Sequence, residues 1–156
     1  MVSIPFQNNG SNAGNKFKKN NSNEASGLVP PQNIQAEESV LGGILLDPDA
    51  IGRIADLLRP EAFYINAHKE IYKTAITLHS QGKPTDLTSM SAWLADNGSL
   101  DLIGGNNKLV ELVENVSSTA SIEQVASLIS DKFLRRQLIR SGNEVVQLGF
   151  DQSQGT

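Results

Sequence analysis

The sequence has no cysteine, only two histidines and few aromatic residues: five Phe, two Tyr and one Trp among 156 residues. Without cysteine there is no disulfide, no thiolate zinc site and no cysteine nucleophile. No apolar run approaches the roughly 18 residues that a membrane-spanning helix needs. The first residues lack the charged start and apolar core of a secretory signal. The composition therefore predicts one soluble, cytoplasmic domain with no membrane partner.

Patterns that carry catalysis or nucleotide binding are also missing. Gly82-Lys83 is followed by Pro84 and so cannot form a phosphate-binding loop, which needs Ser or Thr after the lysine. His68 and His79 lie three helical turns apart, too far to chelate one metal ion. We therefore expect no enzymatic activity, no cofactor and no metal in this chain. A small hydrolase that uses His68 with nearby carboxylates is the least favoured alternative.

The charge is distributed unevenly along the chain. The whole sequence carries −4, but residues 1–30 hold three lysines against Glu24 and are otherwise rich in Asn, Ser and Gly. This stretch contains too little apolar area to offset the entropy cost of ordering it. We predict a disordered tail over 1–29 and an acidic folded part that follows it.

The folded part is predicted to be all-α. Pro30-Pro31 marks its border, and Asn33 stands where a helix cap belongs. In the first helix, Ile34 and Leu41 share an inner stripe while Glu37 and Glu38 are predicted to face away. Further along the chain, apolar residues recur at spacings of three and four residues, as on one face of a helix. No segment shows the sustained alternation of apolar and polar residues that is typical of a strand.

We predict about five helices in a head over 30–103, a helical hairpin over 104–150 and the start of a linker over 151–156. The break at Asn97-Gly98 indicates a left-handed helix end. Phe63 and Tyr64 are predicted to anchor a connection in the core. Asp86 or Ser89 is expected to start the helix that leads to Asn97.

The last helix is too long and too apolar for a domain of this size. It begins after Ser117-Ser118-Thr119 or Ser121 and runs from Ile122 to about Phe150, roughly 40 Å at 1.5 Å per residue. We expect it to pair with the helix at 106–115 in a projecting hairpin, and to leave apolar surface for another protomer. The residues predicted to mediate self-association are Leu109, Leu112, Val125, Ile129, Phe133 and Leu138.

One edge of this helix carries a basic cluster formed by Lys132, Arg135, Arg136 and Arg140. It could meet phosphates or an acidic partner, or be a solvated face with pairs at i,i+4. Together with the lysines of the tail it supports the alternative of a small, independent DNA-binding helical module. The acidic balance of the folded part and the lack of interleaved aromatics argue against that alternative.

Several segments, in order, resemble the amino-terminal domain of DnaB-type replicative DNA helicases. They are Pro30-Pro31-Gln32-Asn33-Ile34-Gln35-Ala36-Glu37-Glu38-Ser39-Val40-Leu41-Gly42-Gly43-Ile44-Leu45-Leu46, Leu58-Arg59-Pro60-Glu61-Ala62-Phe63-Tyr64, His68-Lys69-Glu70-Ile71-Tyr72, Lys83-Pro84-Thr85-Asp86-Leu87, Gly104-Gly105 and Leu134-Arg135-Arg136-Gln137-Leu138-Ile139. The resemblance covers roughly residues 29–150.

The resemblance implies a helical head with a hairpin that pairs between subunits, three such dimers forming a collar over a hexameric motor. It implies that this collar docks primase and, in some systems, a helicase loader. ATP, magnesium and most DNA contacts would belong to a separate motor domain of a parent protein that unwinds DNA from 5′ to 3′ at the replication fork. The residues that we expect to contact a partner are Lys108, Arg135, Arg136 and Arg140.

The chain departs from the family pattern at two places in the predicted hairpin. Lys108 stands where relatives often have an aromatic residue, and Ser121-Ile122-Glu123-Gln124-Val125-Ala126 replaces a pattern of Asn-x-x-x-Tyr-Ala. Gly142 lies inside the last helix, where glycine costs about 1 kcal/mol relative to alanine. We expect it to mark a bend or a close approach of another helix.

Overall fold

The structure, a computed structural model, describes residues 28–116 and 120–154, and across them it is helical, without a strand. The α-helices are α1 (Ile34–Leu46), α2 (Ala50–Ile54), α3 (Asn66–Ser80), α4 (Leu87–Asp96), α5 (Gly105–Glu114) and α6 (Ile122–Phe150), with 3-10 turns at Pro60–Ala62, Asp101–Ile103 and Gln152–Gln154. The all-α prediction is confirmed. Nearly all of the predicted tail, and the helix start considered at 117–119, lie outside the described residues.

Helix α1 is the central element of the head. The side chain of Asn33 accepts a hydrogen bond from the backbone N–H of Ala36 at 3.0 Å, which confirms Asn33 as the cap. Helices α3, α5 and α6 all pack against α1. The shared core buries aliphatic residues from every helix, and its largest fully buried side chains are Tyr72, Phe63, Leu41, Ile44, Ile51, Ile54, Leu58, Ile71, Leu78, Met90, Leu94 and Leu109.

Gly42 permits the close approach of α1 and the end of α5. A Cβ at this position would overlap the backbone oxygen of Leu112 and the side chain of Val116. Only a residue without a side chain fits there unless the helices move apart. The tight contact explains why α5 lies against α1.

The connection between α2 and α3 is anchored as predicted at Phe63, which is buried, with its ring 4.8 Å from that of Tyr72. The Tyr72 hydroxyl donates a hydrogen bond to the carbonyl of Leu58 at 2.8 Å. Burial raises the pKa of Tyr72 well above its usual range. Tyr64, by contrast, remains partly exposed.

In the described residues, the two helices assigned to the predicted hairpin, α5 and α6, make their main contacts with the head. Helix α5 lies against α1 and α4, and the first half of α6 lies against α1 and α2. Leu109, Leu112 and Ile129 belong to the same core as the rest of the head. The second half of α6 is exposed, and the division of the chain into a head and a hairpin stays a prediction.

Candidate assembly and docking surface

Helix α6 consists of a packed half and an exposed half. Ser121 caps it, its hydroxyl accepting a hydrogen bond from the backbone N–H of Gln124 at 3.3 Å. Val125 and Ile129 are buried against the head, whereas every residue from 137 to 150 is exposed. At 1.5 Å per residue the whole helix is about 44 Å long, and its exposed end accounts for about 21 Å of that length. No helix in the described residues is long and apolar enough to cross a membrane.

Helix α6 carries an apolar row, here called the outer stripe, formed by Leu134, Leu138 and Val145, and the last two of these lie in its exposed half. Their exposed fractions are 58%, 65% and 67%. At 100° per residue these positions lie on the side of α6 turned away from Val125 and Ile129. Covering a leucine or valine side chain stabilises by about 1.5 to 3 kcal/mol, so the stripe is a costly surface to leave in water.

Only part of the predicted self-association set is accessible. Leu109, Leu112, Val125 and Ile129 are buried within the chain, and Phe133 is half-buried against the head. Because α1 and its neighbours already cover these four side chains, their part in self-association stays a prediction. Of the six, Leu138 is the residue that is largely exposed. Helix α6 does expose apolar surface, and this surface lies toward its carboxyl end, at Leu138 and Val145.

Arg136 clamps α6 onto the head. Its guanidinium donates to the carbonyl of Pro31 at 2.7 Å and to that of Ala62 at 2.6 Å. The same group lies over the rings of Tyr64 and Phe133, at 5.5 and 5.8 Å from their centroids. Hydrogen bonds from a charged donor are stronger than neutral ones. Arg136 therefore uses donors of its guanidinium inside the chain, and its contact with a partner stays a prediction.

The other predicted partner-contact residues have acidic neighbours. Arg135 pairs with Asp131 at 2.9 Å, and this hydrogen bond is the main reason why the pKa of Asp131 lies below its ordinary value. Arg140 pairs with Glu144 at 3.3 Å. Arg135 and Arg140 remain largely exposed in spite of these pairs, which are of the weak i,i+4 kind.

Lys108 is mostly covered. Its ammonium lies 3.3 Å from Glu38 and 3.5 Å from Glu111, with 21% of its side chain exposed. The contact with Glu38 ties α5 to α1 across the head. Lys108 therefore takes part in the packing of the head, although as a charged residue it was expected to lie on the surface.

A buried acid–histidine pair was missed by the sequence reasoning. Glu37, predicted to face solvent, is 1% exposed, and one of its oxygens lies 2.8 Å from His68 Nδ1. The other oxygen accepts the backbone N–H of Tyr64 at 2.5 Å. Glu37 lies four residues before Leu41 on the inner stripe, a spacing that could have revealed its burial.

The contacts of Glu37 and His68 indicate a structural role for this pair. It links α1 to α3 and to the connection at Tyr64, with no third acidic or histidine side chain beside it among the described residues that could complete a metal site. The packing role favoured for His68 agrees with its 2% exposure.

Comparison with known proteins identifies the family. A sequence model described as "DnaB-like helicase N terminal domain" matches residues 29–131. The chain belongs to this family. It is 56% identical over 128 residues to the replicative DNA helicase DnaB of Nostoc sp. strain PCC 7120, covering 82% of this chain and 15% of that protein. Identity to DnaB of Geobacillus stearothermophilus is 38%, covering 78% of this chain and 27% of that one.

Solved structures of DnaB proteins show the same fold. The crystal structure of the N-terminal domain of DnaB from Mycobacterium tuberculosis matches with a TM-score of 0.76 and 39% identity, covering 80% of this chain and 91% of that one. A structure described as a DnaB-like replicative helicase and its interactions with primase matches with a TM-score of 0.66 and 33% identity. That match covers 74% of this chain and 27% of that one. The DnaB residues that this chain matches are those of the amino-terminal domain, as the resemblance implied.

Proposed function

We propose that this chain is the assembly and partner-docking domain of a hexameric replicative DNA helicase. The observation that supports the proposal most directly is the outer stripe of Leu134, Leu138 and Val145 on α6. A stripe at helical spacing fits a second helix of the same kind. The proposed arrangement is a dimer through α6 and, in the parent protein, a trimer of dimers.

The proposed parent hydrolyses ATP with magnesium in a motor domain and unwinds DNA from 5′ to 3′ at the replication fork in the cytoplasm. The chain spans only 15% of the Nostoc relative, which leaves ample length for such a motor in a protein of that kind. The domain itself is proposed to bind no nucleotide.

Primase is the proposed docking partner, with a helicase loader as a second one. The support is the relative whose structure is described with its interactions with primase. Within this chain, Arg135 and Arg140 are the predicted partner-contact residues that keep substantial exposure. A double substitution of both by alanine is expected to weaken primase binding, whereas substitution of the covered Lys108 is expected to act on stability.

The test of self-association is sedimentation velocity across a concentration series up to tens of micromolar. The wild-type chain is expected to form dimers or larger species, and Leu138→Glu with Val145→Glu is expected to leave a monomer. Leu102→Glu is the matched control, because Leu102 is 75% exposed but lies in the head. A wild-type chain that stays monomeric, or a control that dissociates equally, would refute the assignment of the outer stripe.

The DNA-binding alternative has little support from the basic edge. Arg136 is engaged with two carbonyls, and Arg135 and Arg140 each have an acidic neighbour. Phosphate binding through free cations falls steeply with salt. We expect a titration with single-stranded DNA at low salt to show no binding. Binding at low salt that is lost when salt is added would favour the DNA-binding alternative instead.

A further inference from the structure

Helix α4 ends in a turn that contains the dipeptide Asn97-Gly98. The backbone N–H of Gly98 donates to the carbonyl of Ala95 at 3.1 Å, and that of Ser99 donates to the carbonyl of Leu94 at 2.8 Å. Gly98 has a φ of 69°, a left-handed conformation that glycine adopts without strain. Two such hydrogen bonds around a left-handed glycine form the helix end known as a Schellman motif.

We propose that Asn97 is a site of deamidation and that the folded end of α4 holds the reaction back. Asparagine is one of the thermolabile residues of proteins, and the residue that follows it supplies the attacking nitrogen. Glycine has no side chain to hinder that attack. Among the described residues, Asn97 is the one asparagine that a glycine follows, and both residues of the pair are exposed to water.

The reaction consumes water and releases ammonia. The backbone nitrogen of Gly98 bonds to Cγ of Asn97, and the bond between Cγ and Nδ2 breaks. The amide proton of the glycine is transferred to the departing nitrogen, which leaves as ammonia, and the chain is left with a five-membered cyclic imide. Water then opens this ring at either of its two carbonyls, which gives aspartate or isoaspartate at position 97.

The folded end of α4 opposes ring closure in three ways. The side-chain amide of Asn97 donates to the carbonyl of Trp93 at 2.8 Å, and the attacking N–H of Gly98 is bonded to Ala95. The ψ angle of Asn97 is 6°, which places the Gly98 nitrogen beside the Asn97 nitrogen instead of beside its Cβ. The ring can therefore close only after a rotation that breaks the Schellman motif. Helix ends open locally at a lower cost than the core, so the rate reports this opening.

Deamidation weakens the helix end at which it occurs. The new carboxylate has no N–H to donate to the carbonyl of Trp93. It also adds negative charge where the last carbonyls of α4 already carry partial negative charge. Asp96 is its neighbour in the chain, and the last turn of α4 contains no basic residue. The product therefore favours the open turn.

Peptide mass spectrometry of the whole chain, incubated in mildly alkaline buffer, measures the reaction at Asn97. A synthetic peptide of Ser91–Leu102 is the reference, both in buffer and in urea. We expect the chain unfolded in urea to react at the rate of the peptide. The folded chain is expected to react at least about tenfold more slowly, as for a turn that is open in about one molecule in ten or fewer. Asn115, which precedes Val116, is expected to stay unmodified.

Two results would overturn the proposal. A folded chain that deamidates at Asn97 as fast as the peptide would show that the end of α4 gives no protection. An unfolded chain that does not react at Asn97 would show that the dipeptide is not a modification site.

Leu100→Ala tests whether the turn itself controls the rate. Leu100 packs against the core and donates its N–H to the carbonyl of Leu94 at 3.1 Å, so a smaller side chain loosens the turn. We expect several-fold faster deamidation at Asn97 in the folded variant. Leu102→Ala is the matched control, because Leu102 is 75% exposed, and it is expected to leave the rate unchanged. Equal rates in the two variants would overturn the protective role of the turn.

The effect of the product is tested with Asn97→Asp in thermal melts. We expect the melting temperature to fall by about 2 to 4 °C. Asn66→Asp is the matched control, since Asn66 is the first residue of α3 and negative charge is favourable at that end of a helix. It is expected to keep or raise the melting temperature. An Asn97→Asp variant that melts no lower than Asn66→Asp would contradict the weakening of the helix end.

Discussion

Arg136 is the residue at which the orientation of the projecting helix can be tested most sharply. Replacing it with alanine removes both hydrogen bonds from the guanidinium and leaves the carbonyls of Pro31 and Ala62 without that donor. It also removes the contacts with the rings of Tyr64 and Phe133.

The expected loss follows from these contacts. Hydrogen bonds to a charged group contribute about 1.5 to 3 kcal/mol each, and the ring contacts add about 0.5 to 1 kcal/mol. Because the site is only partly buried, water can replace some of the lost bonding. We therefore expect Arg136→Ala to lower the free energy of unfolding by about 2 to 4 kcal/mol.

Urea unfolding followed by far-UV circular dichroism measures this change, with an expected fall in the midpoint of about 1 to 2 M. Arg140→Ala is the matched control, since Arg140 lies one turn farther on and pairs with Glu144 on the surface. We expect it to change the free energy of unfolding by less than about 0.5 kcal/mol. An Arg136→Ala variant as stable as the control would refute the clamp.

Two further predictions concern stability. Gly42→Ala is expected to destabilise by about 2 kcal/mol or more through overlap with Leu112, whereas Gly142→Ala, with open space around it, is expected to stabilise by up to about 1 kcal/mol; thermal melts compare the pair, and equal effects would contradict the packing. Burial raises the pKa of Tyr72 in the folded state. The stabilisation of the fold by the protonated Tyr72 side chain is therefore complete below the unfolded pKa of about 10, and it declines as the pH rises above that value. Tyr72→Phe is expected to lower the free energy of unfolding at pH 7 by about 1 kcal/mol. It is also expected to make the free energy of unfolding fall less steeply between pH 8 and pH 11, which unfolding experiments over that range measure. A fall as steep as that of the wild-type chain would contradict the prediction.

Local features of the fold were predictable from the sequence because their causes lie within a few residues. Asn33 caps α1 through the amide of Ala36, three residues on. Gly98 adopts the left-handed conformation, with φ of 69°, that Asn97-Gly98 indicated. The excess of apolar positions on α6 also predicted correctly that the head leaves part of this helix uncovered.

Long-range contacts were not predictable in the same way. Glu37 is buried because His68 and the amide of Tyr64, about thirty residues on, satisfy its carboxylate. Arg136 resembled a surface cation because its acceptor on Pro31 lies 105 residues away. The partition of α6 into packed and exposed halves depends likewise on how far α1 and α2 extend. Periodicity gives the number of apolar faces but does not show which of them another helix covers.

Because α6 is one unbroken helix, its exposed part can rotate as a rigid body about the contact at Arg136. The arm beyond Arg136 is about 21 Å long, so a tilt of 10° at the head moves Phe150 by about 4 Å. Small rearrangements around the carbonyls of Pro31 and Ala62 are thereby magnified at the tip, with no need for the helix to bend.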